Sequence, residues 1–442
     1  MANARKVVQN ALIRVHKDEG YSNLVWNTEL EQSDLSSRDA AFATTLFYGV
    51  LERCLTLDYV IAAHSKTPVK KMDLSVLEAL RMGIYQMLYM DSVPDRAAIN
   101  ESVTLVKRSR QNRFSGFVNG VLRSVQRAEG AIPLKETDSQ VTKLSVTHSV
   151  PEELVSHYIT HYGVSLTEQL LPSFLGARPL YIRVNTLKTD EEQLIQALSS
   201  EGIEVIVTEH PHTLQVKGGH NLTATQAFEQ GLFHVQDPAS VYACLALQVQ
   251  PGMRVLDVCA APGGKSFTLG QIMENKGELI SCDLYDHKIR LMQQGAERLG
   301  VTCMQSVLRD ATVQDDVGEF DRILCDLPCS GLGILGRKPE IRYKSVTFLD
   351  NLPDLQYGML RNTVPHLKAG GILVFSTCTL NPRENQDNVE RLLREFEQLE
   401  PCAVLPQLSR VCGEPSHMIH LLPHVHDTDG FFVSAVRRKG EN

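Results

Sequence analysis

The sequence lacks the long apolar runs and paired cysteines that are typical of membrane-spanning, secreted or zinc-binding chains. No stretch approaches the roughly 18 uncharged apolar residues that a membrane span needs. No apolar segment separates the N-terminal cations Arg5, Lys6 and Arg14, as it would in a signal peptide. Ten cysteines without a Cys-x-x-Cys pair predict reduced thiols in a cytoplasm. The closest pair, Cys325 and Cys329, has no histidine or cysteine partner at metal-ligand spacing, so we expect no metal site.

Length and charge predict several domains with different surfaces. A chain of 442 residues suggests about three domains of roughly 150 residues each. The net charge of −8 argues mildly against a nucleic-acid partner, but residues 1–150 carry +3 and the remainder −11. Six cations fall between Ser102 and Ala128 without any acidic residue, namely Lys107, Arg108, Arg110, Arg113, Arg123 and Arg127. This run is equally consistent with a surface that faces nucleic-acid phosphates and with a solvated helix face.

Hydrophobic periodicity divides the chain into an all-α domain (1–135), connector helices with a small α/β unit (136–235), and an α/β domain (236–442). In the first part, helical spacing predicts helices near the N-terminus and over 40–63, 74–90, 97–109 and 114–128. In the last part, short apolar runs alternate with helical segments, which predicts a doubly wound parallel sheet. Its strands are expected at 255–258, 278–282, 302–307, 322–325 and 371–376, with 429–432 at the sheet edge.

One segment combines a buried strand, a turn of small residues and the start of a helix. The strand at 255–258 runs into Cys259-Ala260-Ala261-Pro262-Gly263-Gly264-Lys265. Small residues let the backbone approach a ligand, and a helix N-terminus offers unpaired N–H groups. A P-loop would need glycine where Cys259 stands, and the G-x-G-x-x-G signature of dinucleotide sites is also missing.

Two strand-end carboxylates favour S-adenosyl-L-methionine as the ligand of this turn. Asp283 ends the second strand, where a carboxylate can accept hydrogen bonds from both ribose hydroxyls. Asp310 follows the third strand, the place for a carboxylate that receives the adenine amine. Either residue alone is a weak signal, but their order after the small-residue turn predicts a site for this cofactor.

Two cysteines follow the next strands, in Asp326-Leu327-Pro328-Cys329-Ser330-Gly331 and in Phe375-Ser376-Thr377-Cys378-Thr379. Ligands bind at the carboxyl ends of the strands in such folds, so both thiols are expected in one crevice. Asp326 is expected to hold the exocyclic amine of a cytosine, as acidic side chains do. We interpret six other cysteines as inert buried thiols: Cys54, Cys244, Cys282, Cys303, Cys402 and Cys412.

A thiol in this position has a chemical use. Carbon 5 of cytosine is a poor nucleophile, and a thiolate that adds to carbon 6 converts the ring into an enamine that can take a methyl group. This is covalent catalysis, in which one difficult step becomes two easier ones. The residue types alone leave open which thiol attacks. They also leave open whether Arg183 and Asn185 face RNA or brace a domain junction.

The turn at 259–265 and the two cysteine segments resemble the Sun (Fmu) family of RNA cytosine-5 methyltransferases. The N-terminal domain resembles the antitermination factor NusB. Lesser matches are Arg183-Val184-Asn185-Thr186, Val235-Gln236-Asp237-Pro238-Ala239-Ser240 and Pro382-Arg383-Glu384-Asn385. The resemblance implies that Cys378 is the nucleophile, that Cys329 assists product release, and that residues 259–265 with Asp283 and Asp310 hold the cofactor. The resemblance also assigns Asp326 to the cofactor site.

The resemblance also implies a Rossmann-like methyltransferase fold, 16S rRNA as the partner and cytosine 967 as the target. We expect a cytoplasmic monomer without a metal. One alternative is a non-catalytic RNA-binding or antitermination adaptor, which would have no use for a thiol beside a cofactor loop. Another is a cytosine-5 methyltransferase of a different RNA or of DNA. A DNA enzyme would keep its nucleophile in a Pro-Cys element and so depend on Cys329.

Overall fold

A computed structural model describes residues 3–18, 22–129, 131–219, 221–344, 349–404 and 416–440. The chain forms two compact units. The first comprises Met1–Ala177 with Leu335–Val346, and the second comprises Arg178–Ile334 with Thr347–Asn442. Within the described ranges no helix is both long and apolar enough to cross a bilayer. The three-domain boundaries at 135 and 235 stay a prediction.

The first unit is helical, as the apolar periodicity predicts. The predicted single helix over 40–63 is wrong, because the backbone at Arg53 (φ −115°, ψ 14°) separates two helices. The helix that begins at Ser22 was not predicted, since it buries only Ser22, Val25 and Trp26 and shows little periodicity. The helices of this unit are α1 (Ala4–Asp18), α2 (Ser22–Glu31), α3 (Ser37–Glu52), α4 (Cys54–His64), α5 (Leu74–Tyr89), α6 (Asp95–Lys107), α7 (Ser115–Arg127), α8 (Gln140–His148) and α9 (Glu152–Leu170).

The core of the helical unit follows directly from the sequence pattern. Val8, Leu12 and Val15 of α1 are buried, and each side chain stabilises the fold by about 1.5–3 kcal/mol relative to an exposed one. Trp26 of α2 stacks on Phe47 of α3 with ring centroids 4.6 Å apart. These contacts fix α2 in place despite its weak apolar stripe.

A short segment from the later part of the chain, Leu335–Val346, belongs to the helical unit. Its Arg342 is fully buried. The guanidinium donates to four backbone carbonyls at 2.9–3.3 Å, those of Glu52, Ser149, Phe174 and Leu335. Because unpaired buried carbonyls cost free energy, this arginine makes the segment an integral part of the helical unit.

The second unit begins with a small antiparallel sheet of order β2-β3-β1-β4. Its strands are β1 (Leu180–Val184), β2 (Val205–Val207), β3 (Thr213–Val216) and β4 (Phe233–Val235). Helices α10 (Glu191–Ser200) and α11 (Gln226–Glu229) accompany it, and the Asp190 side chain caps the start of α10. The predicted small α/β unit is therefore present.

The main sheet has the order β10-β12-β9-β8-β5-β6-β7, with β11 paired to β12. Neighbours from β9 to β7 run parallel, and helices connect β5 to β6, β6 to β7 and β8 to β9, as is typical of a Rossmann-like fold. The strands are β5 (Arg254–Asp257), β6 (Glu278–Asp283), β7 (Met304–Leu308), β8 (Phe320–Asp326), β9 (Leu367–Thr377), β10 (Leu399–Pro401), β11 (Met418–Leu421) and β12 (Phe431–Arg438). The helices are α12 (Pro238–Ala246), α13 (Gly264–Ile272), α14 (Asp286–Leu299), α15 (Leu352–Thr363), α16 (Gln386–Glu395) and α17 (Pro423–His426).

The expectation that the last apolar run lies at the sheet edge is wrong. Strand β12 pairs antiparallel with β9 on one side and with β10 and β11 on the other. Residues 431–436 are all buried. A continuous apolar run is typical of a strand that is covered on both faces, and the sheet is mixed at this end and not wholly parallel.

Arg183 and Asn185 brace the small sheet against the helices of the main sheet, and the RNA-facing interpretation is wrong for both. Arg183 is 2% exposed, and its Nε donates to Gln271 Oε1 of α13 at 3.4 Å. Asn185 is fully buried, and its Nδ2 donates to the carbonyls of Gly231 (2.7 Å) and Leu299 (2.8 Å). Both side chains are therefore structural.

One ionisable side chain is buried at the end of β5. Asp257 is fully buried, its Oδ2 accepts from the Ser266 hydroxyl at 2.6 Å, and that hydroxyl accepts from Ser281 Oγ at 2.9 Å. The other carboxylate oxygen has no hydrogen-bond partner among the residues that the structure describes. Burial raises the pKa of Asp257 from 3.8 to about 7, because the Ser266 hydrogen bond compensates only in part.

This raised pKa predicts a pH-dependent stability. The native carboxyl binds its proton more tightly than the unfolded one, so its contribution to the free energy of unfolding falls as pH rises between about 4 and 7. Asp257→Asn removes this fall. The free energy of unfolding of the variant minus that of the parent should therefore be larger at about pH 8 than at about pH 4.5, by on the order of 1–3 kcal/mol. Urea denaturation of both proteins at the two pH values measures this difference.

Leu256→Val in the same strand provides the control, because it adds and removes no ionisable group and should change the free energy of unfolding equally at both pH values. An equal effect of Asp257→Asn at the two pH values would contradict the assignment of a raised pKa.

Candidate active site

The carboxyl ends of three neighbouring parallel strands bring the predicted loops to one edge of the sheet. Asp257 of β5 is in register with Leu324 of β8, and Asp326 of β8 is in register with Ser376 of β9. The chain leaves all three strands in the same direction. The segments that follow them therefore meet at this edge, as the sequence predicts.

The turn after β5 leads directly into α13. Gly263 has a φ of +106°, a conformation that favours glycine, and a Cβ built there would lie 2.4 Å from the Phe267 ring. Gly264 is the first residue of α13, with Lys265 next, so unpaired backbone N–H groups stand at the turn. Cys259, Ala260, Ala261 and Pro262 complete the small-residue turn.

The two strand-end carboxylates lie where the sequence predicts them. Asp283 is the last residue of β6, and the Lys288 ammonium lies 3.3 Å from its Oδ1. Asp310 follows β7, and its Oδ1 accepts from the backbone N–H (2.8 Å) and the hydroxyl (2.6 Å) of Thr312. These hydrogen bonds lower the pKa of Asp310 and keep it ionised.

A half-buried ion pair joins the turn after β5 to the end of β8. Lys265 Nζ donates to Asp326 Oδ2 at 2.7 Å, while Ser376 Oγ of β9 donates to Asp326 Oδ1 at 2.8 Å. Burial alone would lower the pKa of Lys265, but the Asp326 carboxylate raises it above its ordinary value, so the ammonium stays charged. The Lys265 role as a partner of Asp326 is not evident from the sequence, because the two residues are 61 positions apart.

The two predicted thiols are in direct contact. Cys329 Sγ and Cys378 Sγ lie 3.2 Å apart, and both cysteines are half-buried. The contact with Cys378, burial, and the charge of Glu384 raise the pKa of Cys329 well above its ordinary value. A protonated Cys329 thiol is placed to donate a hydrogen bond to the Cys378 sulfur.

The other described cysteines are away from this contact. Burial raises the pKa values of Cys54, Cys244 and Cys282 to about 12, as expected for inert thiols. Cys402 is buried, and Cys303 is half-buried with a raised pKa. Cys412 lies outside the described residues.

The arrangement fits a nucleoside cofactor that bears a positive sulfonium. Asp283 and Asp310 offer carboxylate oxygens for hydroxyl and amine donors, and the small residues of the turn leave the α13 N–H groups approachable. Asp257, the last residue of β5, stands directly before the same turn. This donor set agrees with the S-adenosyl-L-methionine expectation.

The acid-free run of the helical unit spans the end of α6 and most of α7. Lys107, Arg108, Arg110 and Arg113 are exposed, and the Arg113 guanidinium lies 4.8 Å from the Phe114 ring centroid. Arg123 is half-buried, with its NH1 2.9 Å from Gln126 Oε1, and Arg127 is exposed. The run is therefore a cationic surface of this unit.

Three family models match successive parts of the chain. The NusB family matches residues 2–127, a ferredoxin-like domain of RsmF/B-like methyltransferases matches residues 150–223, and 16S rRNA methyltransferase RsmB/F matches residues 244–437. The crystal structure of PH0851 has the same fold, with a TM-score of 0.83 and 24% identity over 99% of both chains.

Curated relatives match along the whole length. The probable ribosomal RNA small subunit methyltransferase B of Bacillus subtilis is 35% identical over 445 residues and covers 99% of both chains. The protein of the same name from Synechocystis is 33% identical over 447 residues, 99% of this chain and 100% of the relative. The chain therefore belongs to the ribosomal RNA small subunit methyltransferase B family.

Proposed function

We propose that this protein transfers a methyl group from S-adenosyl-L-methionine to carbon 5 of a cytosine in 16S rRNA, through a covalent adduct with Cys378. The observation that carries the proposal is the 3.2 Å contact between Cys329 and Cys378, beside the ion pair of Asp326 and Lys265. A methyltransferase that acts on an already nucleophilic nitrogen has no need for two thiols at this edge of the sheet.

The chemistry assigns different steps to the two thiols. The Cys378 thiolate adds to carbon 6, which breaks the carbon 5–carbon 6 double bond and makes carbon 5 nucleophilic. Carbon 5 then takes the methyl group and must lose its proton to a base. Release breaks the carbon 6–sulfur bond, restores the double bond and returns the electron pair to Cys378.

The raised pKa of Cys329 supports this division. A thiol that stays protonated is a weak nucleophile, and its S–H can donate a weak hydrogen bond to the sulfur that it faces. We therefore assign the attack to Cys378. After the adduct has formed, Cys329 gives its proton to solvent water. The resulting thiolate, whose high pKa makes it a strong base, takes the proton from carbon 5, which agrees with a role in product release.

Asp326 is suited to hold the target base. Lys265 and Ser376 each occupy one of its carboxylate oxygens, which fixes the plane of the group. A carboxylate oxygen has two lone pairs, so each retains an acceptor position for the exocyclic amine of cytosine. The charged Lys265 also lowers the cost of keeping this half-buried carboxylate ionised.

The cofactor and the RNA would be held by different parts of the chain. S-adenosyl-L-methionine supplies an activated methyl group, and Cys259 to Lys265 with Asp283 and Asp310 would hold it. The cationic surface of α6 and α7 would contact rRNA phosphates. The family resemblance implies cytosine 967 as the target, and we expect the active form to be a monomer.

The substrate class can be tested by transfer of labelled methyl groups to small-subunit rRNA, total tRNA and duplex DNA, followed by nucleoside digestion. Label in 5-methylcytosine from rRNA alone is the expected result. Label in tRNA or DNA would contradict the assigned substrate, and label in a nucleoside other than 5-methylcytosine would contradict the assigned chemistry. Cofactor binding without transfer to any acceptor would indicate a missing assembly partner, and no cofactor binding at all would favour the adaptor alternative.

The cysteine roles predict opposite behaviour for two alanine variants. Cys378→Ala should lower methyl transfer by at least about 10³-fold without a covalent complex, since no group can add to carbon 6. Cys329→Ala should accumulate a protein–RNA adduct that survives a denaturing gel. The inert Cys244 is a poor control because it is fully buried, so Cys303→Ala, at a half-buried thiol, serves as the active control. A covalent adduct with Cys378→Ala would instead show that Cys329 attacks carbon 6 and that Cys378 assists product release.

A further inference from the structure

Behind the two thiols lies a cluster of buried polar side chains that the reaction itself does not use. It is formed by the turn after β9, in Asn381-Pro382-Arg383-Glu384-Asn385, and by Gln356 of α15. Glu384, Asn385 and Gln356 are each fully buried. Buried polar groups that are satisfied by specific partners fix the geometry of the chain around them.

Glu384 contacts the loop that carries Cys329. Its Oε2 accepts from the backbone N–H of Ser330 at 2.9 Å and from Gln356 Nε2 at 2.9 Å, and its Oε1 accepts from Asn381 Nδ2 at 2.9 Å. The same Gln356 amide also donates to the carbonyl of Pro328 at 2.9 Å. Glu384 therefore holds the residues on both sides of Cys329, one directly and one through Gln356.

Asn385 contacts the segment that carries Cys378. Its Oδ1 accepts from the Thr377 hydroxyl at 2.6 Å, and its Nδ2 donates to the Thr379 carbonyl at 2.9 Å. One amide thus spans the residues on both sides of Cys378. The Ser330 and Thr379 hydroxyls, 2.6 Å apart, join the two thiol segments to each other.

We propose that Glu384 and Asn385 are positioning residues with separate tasks, Asn385 for the attacking thiol Cys378 and Glu384 for the releasing thiol Cys329. This inference rests on the proposed covalent function. Neither side chain needs to touch the RNA. Each acts by holding one sulfur at the place from which it reaches carbon 6 or carbon 5, and misplacement by about 1 Å can cost on the order of 10²-fold in rate.

The positioning task of Glu384 requires the two carboxylate oxygens and not only the volume of the side chain. Its two oxygens meet three N–H donors. In Glu384→Gln an amide N–H₂ group replaces one oxygen and faces a donor, so at least one of these bonds is lost while the shape is kept. The Glu384 charge also helps to keep Cys329 protonated between turnovers.

The test separates adduct formation from adduct release in a single turnover with small-subunit rRNA and labelled cofactor. Glu384→Gln should form the adduct within about threefold of the parent rate but release product at least about tenfold more slowly, so the adduct accumulates. Asn385→Ala should form the adduct at least about tenfold more slowly and accumulate none. Gln356→Met, which removes the amide that connects Glu384 to Pro328, should reproduce the release defect if Glu384→Gln does not fold.

Asn185→Ala is the matched control, because it also removes a fully buried amide with two backbone carbonyl partners but lies away from the thiols. It should lower the melting temperature and leave both rates unchanged. Equal slowing of both steps in the Glu384 and Asn385 variants, or parent-like rates, would overturn the inference. If the parent enzyme itself formed no adduct while it methylated RNA, the covalent function would fail instead.

Discussion

The parallel pairing of β8 with β9 is the constraint on which the proposed chemistry depends. Asp326 and Ser376 are register partners, so the segments that follow them leave the sheet side by side. Cys329 lies three residues after Asp326, and Cys378 lies two residues after Ser376. Their sulfurs meet at 3.2 Å because the Glu384 and Asn385 side chains hold both segments from behind. A change of register by one residue would reverse the faces of every side chain and separate the thiols.

The ion pair of Lys265 and Asp326 connects this thiol pair to the cofactor turn. It makes the start of α13, the end of β8 and the hydroxyl of Ser376 one hydrogen-bonded unit. A buried ion pair contributes less to stability than its short distance suggests, because both charges lose their hydration. Its greater effect is on geometry, since it fixes the Asp326 carboxylate relative to the turn that would hold the methyl donor.

The sequence was sufficient for the strands β5 to β9, the small-residue turn after β5 and the two thiol segments, because each of these is a local pattern of burial, small residues or strand ends. It was insufficient where a partner lies far away in the chain. The interior position of β12, the inclusion of Leu335–Val346 in the helical unit and the Lys265–Asp326 pair all depend on contacts between distant residues. The break at Arg53 escaped prediction because no glycine or proline marks it. Arg183 and Asn185 could be assigned only once their buried partners were known.

The most direct test of the central claim is to map the cysteine that bonds to RNA containing 5-fluorocytosine. Fluorine at carbon 5 cannot leave as a proton does, so release is blocked and the adduct of the unaltered enzyme persists. Tryptic cleavage after Arg322, Arg337, Lys368 and Arg383 places Cys329 and Cys378 in separate peptides, 323–337 and 369–383. The account predicts that the nucleotide is attached at Cys378. Attachment at Cys329, or methylation of ordinary rRNA without any adduct on the fluorinated one, would contradict it.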